Sequence, residues 1–326
     1  MRRARAEPAH DRGDVHATRL PEGAVIRTEP LRTTGGRDVP LRPPDRVVGR
    51  TGEIAALEAA VAAARAGGQR ALVVGGPGGM GTSALVQQVH PLVRDGGWFV
   101  AGGYDRYRRD APYHGVRQAL RQLGWLLLAE PEEERPGLRR DLRRTLGPNL
   151  DLAATVVPEL ATLLELRPRP PSGDGFRRPV RLQRAAVDLL RVACSRRRPV
   201  VFAVDDLQWA DATALGLLDH LLLGEPVEGL VTVAAYRADE LHPDSPLAAA
   251  LARWCRPDGP AHLRLTGLDT GDLTALVGSV LRLDRGRAAA LAALVAPHVA
   301  GNPLRTLEVL DALRRAGVLA APDGQG

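Results

Sequence analysis

Eight residues carry the first chemical signal: Gly76-Pro77-Gly78-Gly79-Met80-Gly81-Thr82-Ser83. Gly76, Gly81 and Ser83 fall on the two glycines and the hydroxyl of the phosphate-binding pattern G-x-x-x-x-G-K-[ST], and Thr82 stands where the lysine belongs. In such a loop, successive backbone N–H groups and the start of the next helix converge on an anion. The Ser83 hydroxyl would hold Mg2+, and the lysine would meet the β- and γ-phosphates of a nucleoside triphosphate. Threonine brings no charge. A charged hydrogen bond lost from a phosphate costs ~1.5–3 kcal/mol, roughly 10- to 150-fold in affinity. One donor lost from the developing charge costs ~10²–10³ in rate. The competing reading is a strand-to-helix turn that is glycine-rich for steric reasons. Glycine supplies 35 of the 326 residues, above the usual ~7%, which weakens a glycine cluster as a signal.

A second cluster is Val204-Asp205-Asp206-Leu207-Gln208-Trp209-Ala210-Asp211. Two acids directly after an apolar run suit a Mg2+ site: Asp205 would bind the ion, and Asp206 would orient or deprotonate an attacking water. Either aspartate also suits a turn or a cap. The loop and the acids follow separate strands of one expected sheet, and ligands bind outside the carboxyl ends of such strands, which favours function for the pair. Asp211 is read instead as the N-cap of the following helix. Arg237, after Tyr236, could reach a γ-phosphate late in phosphoryl transfer or be a solvated arginine. Gly301-Asn302-Pro303 fits a helix-ending glycine before a proline-started helix. His220 and His298 lie on helical patterns as packed or surface residues.

Positioning these residues takes an alternation of elements. Thr51 is expected to cap a helix with an apolar face of Ile54, Leu57, Ala60, Val61 and Ala64. Strands are expected at 71–74, 98–101, 200–204, 230–235 and 263–265. Helices are expected at 84–89, 113–129, 135–166, 177–196 and 212–223, and after the strand at 263–265 they dominate to about 317. Residues 167–175 form a loop rich in proline and glycine. Buried strands alternating with helices imply an α/β fold, a parallel sheet covered by helices on both faces, with a C-terminal helical lid. The expected division is a disordered arm at 1–45, a core at 46–266, a lid at 267–318 and a short tail at 319–326.

Composition narrows the function classes. All 44 basic residues are arginine, with a net charge of +6 and a pI near 10.2. They are interleaved with acids, and aromatic residues make up 3% of the chain, so stacking surfaces for nucleic acid are scarce and direct binding is not favoured. Cys194 and Cys255 form neither a metal pattern nor a disulfide framework. No apolar run approaches the ~20 residues of a membrane span, and no apolar segment follows the arginine-rich start. The expectation is a cytoplasmic protein without a membrane partner.

Taken in order, these stretches resemble the AAA/STAND-type P-loop ATPase modules of bacterial signalling proteins, the origin-recognition-complex-like AAA ATPase domains found in kinase-linked and DNA-binding regulators. The residues that carry the resemblance are Val48–Ile54, the loop region 75–86, Leu146–Asn149, Val157–Leu160, Asp205–Asp211, Ala235–Glu240 and Gly301–Leu304. They cover about 47 to 318. The resemblance implies an additional-strand P-loop core with a helical lid that binds ATP and Mg2+. It also implies a lid turn at Asn302 and Pro303 facing adenine, and a regulatory role. Thr82 departs from the family's lysine. The chain stops where the family would continue into sensor or output domains, so a protein partner or a separate output domain is expected. Three functions follow: a nucleotide-binding switch with little or no turnover, favoured here; an ATPase with a compensating arginine; and a non-catalytic or DNA-associated interaction module.

Overall fold

The computed structural model describes residues 18–19, 25–26, 41, 47–106, 113–166 and 178–319. Most of the expected arm, the 167–175 loop and most of the expected tail lie outside these residues. Within the arm, β1 (Thr18–Arg19) pairs antiparallel with β2 (Val25–Ile26).

Asp45–Gly267 forms one compact unit, and Leu268 onward belongs to a second. The first unit is built on five strands: β3 (Arg70–Gly76), β4 (Trp98–Gly103), β5 (Val200–Asp205), β6 (Leu230–Arg237) and β7 (Ala261–Arg264). Their order is β4-β5-β6-β3-β7, and every pairing is parallel. The strand bearing the glycine loop and the strand bearing the two acids are therefore separated by β6. Its helices are α1 (Thr51–Arg65), α2 (Thr82–Gln87), α3 (His114–Leu128), α4 (Arg135–Leu146), α5 (Leu150–Val156), α6 (Pro158–Leu163), α7 (Arg178–Ala193), α8 (Ala212–Leu223) and α9 (Pro246–Trp254).

The period of two along a strand explains the two-sided core. On β5, Val200, Phe202 and Val204 pack into a cluster with residues of α3, α7 and α8, while Val201 and Ala203 pack with Leu57 and Val61 of α1 and Leu85 and Val86 of α2. A strand buried on both faces must be continuously apolar, as this one is. Full burial of a side chain such as Phe202 contributes about 1.5–3 kcal/mol.

Three sequence expectations change. The helical pattern expected over 135–166 is three helices, because Gly147-Pro148 and Val157-Pro158 interrupt it. Gly147 has φ 46°, a left-handed value, and Pro158 opens α6 after an extended Val157. Thr51 is the first residue of α1 rather than its cap; Arg50 occupies the cap position and makes no side-chain cap bond. Helix α9 was not expected, although Ser245 accepts from the Ala248 N–H and Pro246 opens the helix, a recognisable start signal.

The second unit contains α10 (Thr270–Leu281), α11 (Arg285–Val299) and α12 (Pro303–Arg315). Asp269, Asp284 and Asn302 cap their N-termini through side-chain oxygens. No helix among the described residues is long and apolar enough to cross a membrane.

Candidate nucleotide site

Parallel pairing brings three strand ends side by side. In register, Gly76 of β3 lies opposite Arg237 of β6, and Val204 of β5 opposite Ala234 of β6. The glycine loop thus leaves the sheet next to Arg237, with Asp205 and Asp206 one strand further on.

The loop is a backbone device. Gly79 and Gly81 have φ of 80° and 91°, values that a side chain would strain. The Met80 N–H donates to the Pro77 carbonyl at 3.2 Å, and the Leu85 N–H to the Gly81 carbonyl at 2.8 Å as α2 begins. Helix α2 is only six residues long and gives way to a 3-10 turn at His90–Val93. Thr82 is buried. A buried arginine braces the loop from outside: one Arg50 guanidinium nitrogen donates to the Met80 carbonyl at 3.0 Å and to the Thr266 carbonyl at 2.7 Å, and Glu53 lies 3.6 Å away.

The rim across from the loop is made of side chains. Burial raises the Asp205 carboxyl above the usual carboxylate range, while hydrogen bonds from the Ser83 hydroxyl and the Asp206 N–H pull it down. The latter bond is 2.8 Å. Asp206 sits at φ 55°, a left-handed conformation that aspartate tolerates better than most residues. Its carboxylate pairs with Arg237 at 2.9 Å and accepts from Gln208 at 3.0 Å. Gln208 also donates to Glu240 at 3.1 Å and accepts the Arg237 N–H at 3.0 Å. Arg237 additionally meets Glu240 at 3.3 Å. The arginine therefore lies between two carboxylates at the end of β6.

Asp239 reaches the loop itself, accepting the Gly78 N–H at 2.9 Å. Arg50, Gln208 and Asp239 lie within the stretches that carry the family resemblance but are not among the site residues expected from the sequence. A signal exists for Arg50, a charged residue between a glycine and a helix start. The contacts of Gln208 and Asp239 depend on strand order and leave no local trace.

Asp211 caps α8, accepting from the Thr213 and Ala214 N–H groups at 2.9 and 3.0 Å. Its other oxygen accepts the Tyr113 N–H at 3.0 Å. In the second unit, Ala300 and Gly301 are left-handed, the Asn302 side chain accepts the Arg305 N–H at 3.1 Å, and Pro303 opens α12. The helix-end reading accounts for that turn locally. His220 bonds the Gly216 carbonyl at 2.8 Å on exposed helix surface, His298 is exposed, and Cys194 is buried.

The residues present fit a magnesium nucleotide. A loop amide already holds an anionic oxygen, that of Asp239, and the Ser83–Asp205 pair offers the hard oxygen ligands that Mg2+ takes alongside waters and substrate phosphates. The described residues contain no group of three or more His, Cys, Asp or Glu side chains that could hold a metal ion.

Among curated proteins, the hybrid signal transduction histidine kinase G of Dictyostelium discoideum is 28% identical over 194 residues, covering 58% of this chain and 6% of that protein. Among solved structures, Cdc6p from Pyrobaculum aerophilum matches with a TM-score of 0.45 at 12% identity, over 85% of this chain and 65% of that one. The family model described as AAA ATPase domain matches residues 46–233, more than half the chain, including the glycine loop after β3 and the two acids at the end of β5. The chain belongs to the AAA ATPase domain family.

Proposed function

We propose that this protein is an ATP-binding regulatory module that holds Mg–ATP and turns it over weakly or not at all. The observation that carries the reading is the adjacency of three strand ends, bearing the glycine loop with Ser83 (β3), Arg237 (β6) and the acids Asp205 and Asp206 (β5), with buried Thr82 at the lysine position. Gly76, Gly78, Gly79, Met80, Gly81 and Thr82 would cradle the phosphates through backbone N–H groups, Pro77, which has no N–H, would shape the loop, and Ser83 and Asp205 would hold Mg2+. Asp206 would orient the attacking water, and Arg237 would act late in phosphoryl transfer.

Weak turnover follows from charge. The loop has lost its cation, and the nearest arginine at the strand ends is already engaged by Asp206 and Glu240. Mg2+ supplies positive charge to the phosphates when bound. This chain's own residues then position the ligand more than they stabilise developing charge. The signalling kinase among its relatives supports a regulatory role with an output domain or protein partner.

A second reading, an ATPase in which Arg237 replaces the lysine, is favoured by the register that puts Arg237 beside Gly76. Phosphate release separates the two. Turnover that depends on Mg2+ and disappears in both Asp206→Ala and Arg237→Ala supports the second; binding with no turnover supports the first. Retention on DNA at physiological salt with a steep salt slope would instead support an interaction module.

A further inference from the structure

We infer that Asp239 is an internal competitor for the phosphate loop, a residue that sets how tightly the loop holds a polyphosphate. The inference rests on the nucleotide-site reading above and deepens it. The Gly78 N–H, in the middle of the loop, donates to an Asp239 carboxylate oxygen at 2.9 Å. The other carboxylate oxygen lies 3.3 Å from the point a Gly78 side chain would occupy, so glycine there leaves room for the carboxylate against the loop. A carboxylate oxygen on a backbone amide of such a loop stands where an anionic ligand oxygen is attracted.

The surrounding contacts aim Asp239 at that amide. It sits on a one-turn 3-10 segment, Ala238–Glu240, directly after β6. Both flanks of the segment are fastened to Gln208: the Arg237 N–H donates to the glutamine oxygen at 3.0 Å, and the Glu240 carboxylate accepts from its nitrogen at 3.1 Å. Arg237 itself is taken by Asp206 at 2.9 Å and Glu240 at 3.3 Å. Asp239 thus faces the loop while the adjacent arginine is committed elsewhere.

The missing lysine gives this contact its consequence. A lysine at position 82 would bring a positive charge to the phosphates. With Thr82 there, a polyphosphate meets the Asp239 carboxylate without that counter-charge. Binding then requires the Gly78–Asp239 bond to break and two negative groups to approach or move apart. Asp239 weakens the grip of the loop and makes it depend more on the accompanying cation.

The test is calorimetric titration of Mg–ATP into the full chain and into Asp239→Asn, Asp239→Ala and Thr82→Lys. Asp239 is exposed, and thermal melts establish that the variants fold. Asp239→Asn removes the charge and keeps an acceptor; Asp239→Ala removes both. The expected result is about tenfold tighter binding in Asp239→Ala, close to one charged hydrogen bond, with Asp239→Asn between it and the natural chain. Binding by Asp239→Ala alone would support the inference more strongly. Equal or weaker binding in both Asp239 variants overturns it and leaves the nucleotide site standing. No binding by any of the four proteins rejects the nucleotide site and the competition together. A readout independent of nucleotide is the Gly78 amide resonance, which should move in Asp239→Asn and move further in Asp239→Ala. A Gly78 resonance that ignores both substitutions contradicts the contact.

Discussion

The two halves of the candidate site are made of different material. The loop from Gly76 to Ser83 works through its backbone, with left-handed glycines and a brace from buried Arg50. The rim formed by Asp206, Gln208, Arg237 and Glu240 works through side chains that satisfy one another. A backbone half survives the loss of a side chain: Thr82 in place of lysine leaves every loop amide present. A side-chain half does not, because each member is fixed by its partners. This contrast explains why the favoured reading keeps binding and discounts turnover. Binding draws on amides and an accompanying cation, whereas turnover needs a free charge that neither half supplies.

The largest test strikes the brace. Arg50→Ala leaves the Met80 and Thr266 carbonyls without their buried donor. The cost should be about 3 kcal/mol, read as a melting point lower by roughly 6–12 °C. A shift within a degree or two would mean the loop holds its shape unaided. Next comes the metal side. Asp205→Ala should weaken Mg–ATP roughly 10- to 150-fold and remove the dependence of affinity on Mg2+ in calorimetry. An unchanged Mg2+ dependence would place the cation elsewhere.

Asp205 also makes a prediction without ligand. Burial holds its folded pKa above the unfolded value. Its charge therefore works against the fold at neutral pH, and that penalty is relieved as pH falls through the folded pKa. Asp205→Asn should raise the melting temperature of the ligand-free protein at neutral pH, with the gain fading as the medium is acidified. A loss of stability at neutral pH would show that the Ser83 and Asp206 bonds outweigh burial. The smallest effect belongs to the rim pair. Arg237 is about two-fifths exposed, so Arg237→Gln should cost only ~0.2–1 kcal/mol in chemical denaturation. A larger loss would mean that the rim organises the core rather than decorating it.

Much of this was legible in the sequence because its causes are local. Continuous apolar runs marked β5 and β6, Asp211 announced the start of α8, and glycine and hydroxyl spacing marked the loop. The breaks within 135–166 are not visible in the apolar spacing, which continues through Gly147-Pro148 and Val157-Pro158 where the helical backbone does not. The engagement of Arg237 and the contact of Asp239 with Gly78 were hidden for another reason. They join residues 31 and 161 positions apart, and only the placement of β6 between β5 and β3 makes them neighbours.

The central claim is a live nucleotide site with a weakened grip. It is tested most directly by titrating ATP, with Mg2+ present, into this chain and into Thr82→Lys. The account predicts that both bind and that the lysine variant binds at least tenfold tighter, the worth of one charged phosphate contact. Equal affinity in the two proteins, or no binding by either, would contradict it.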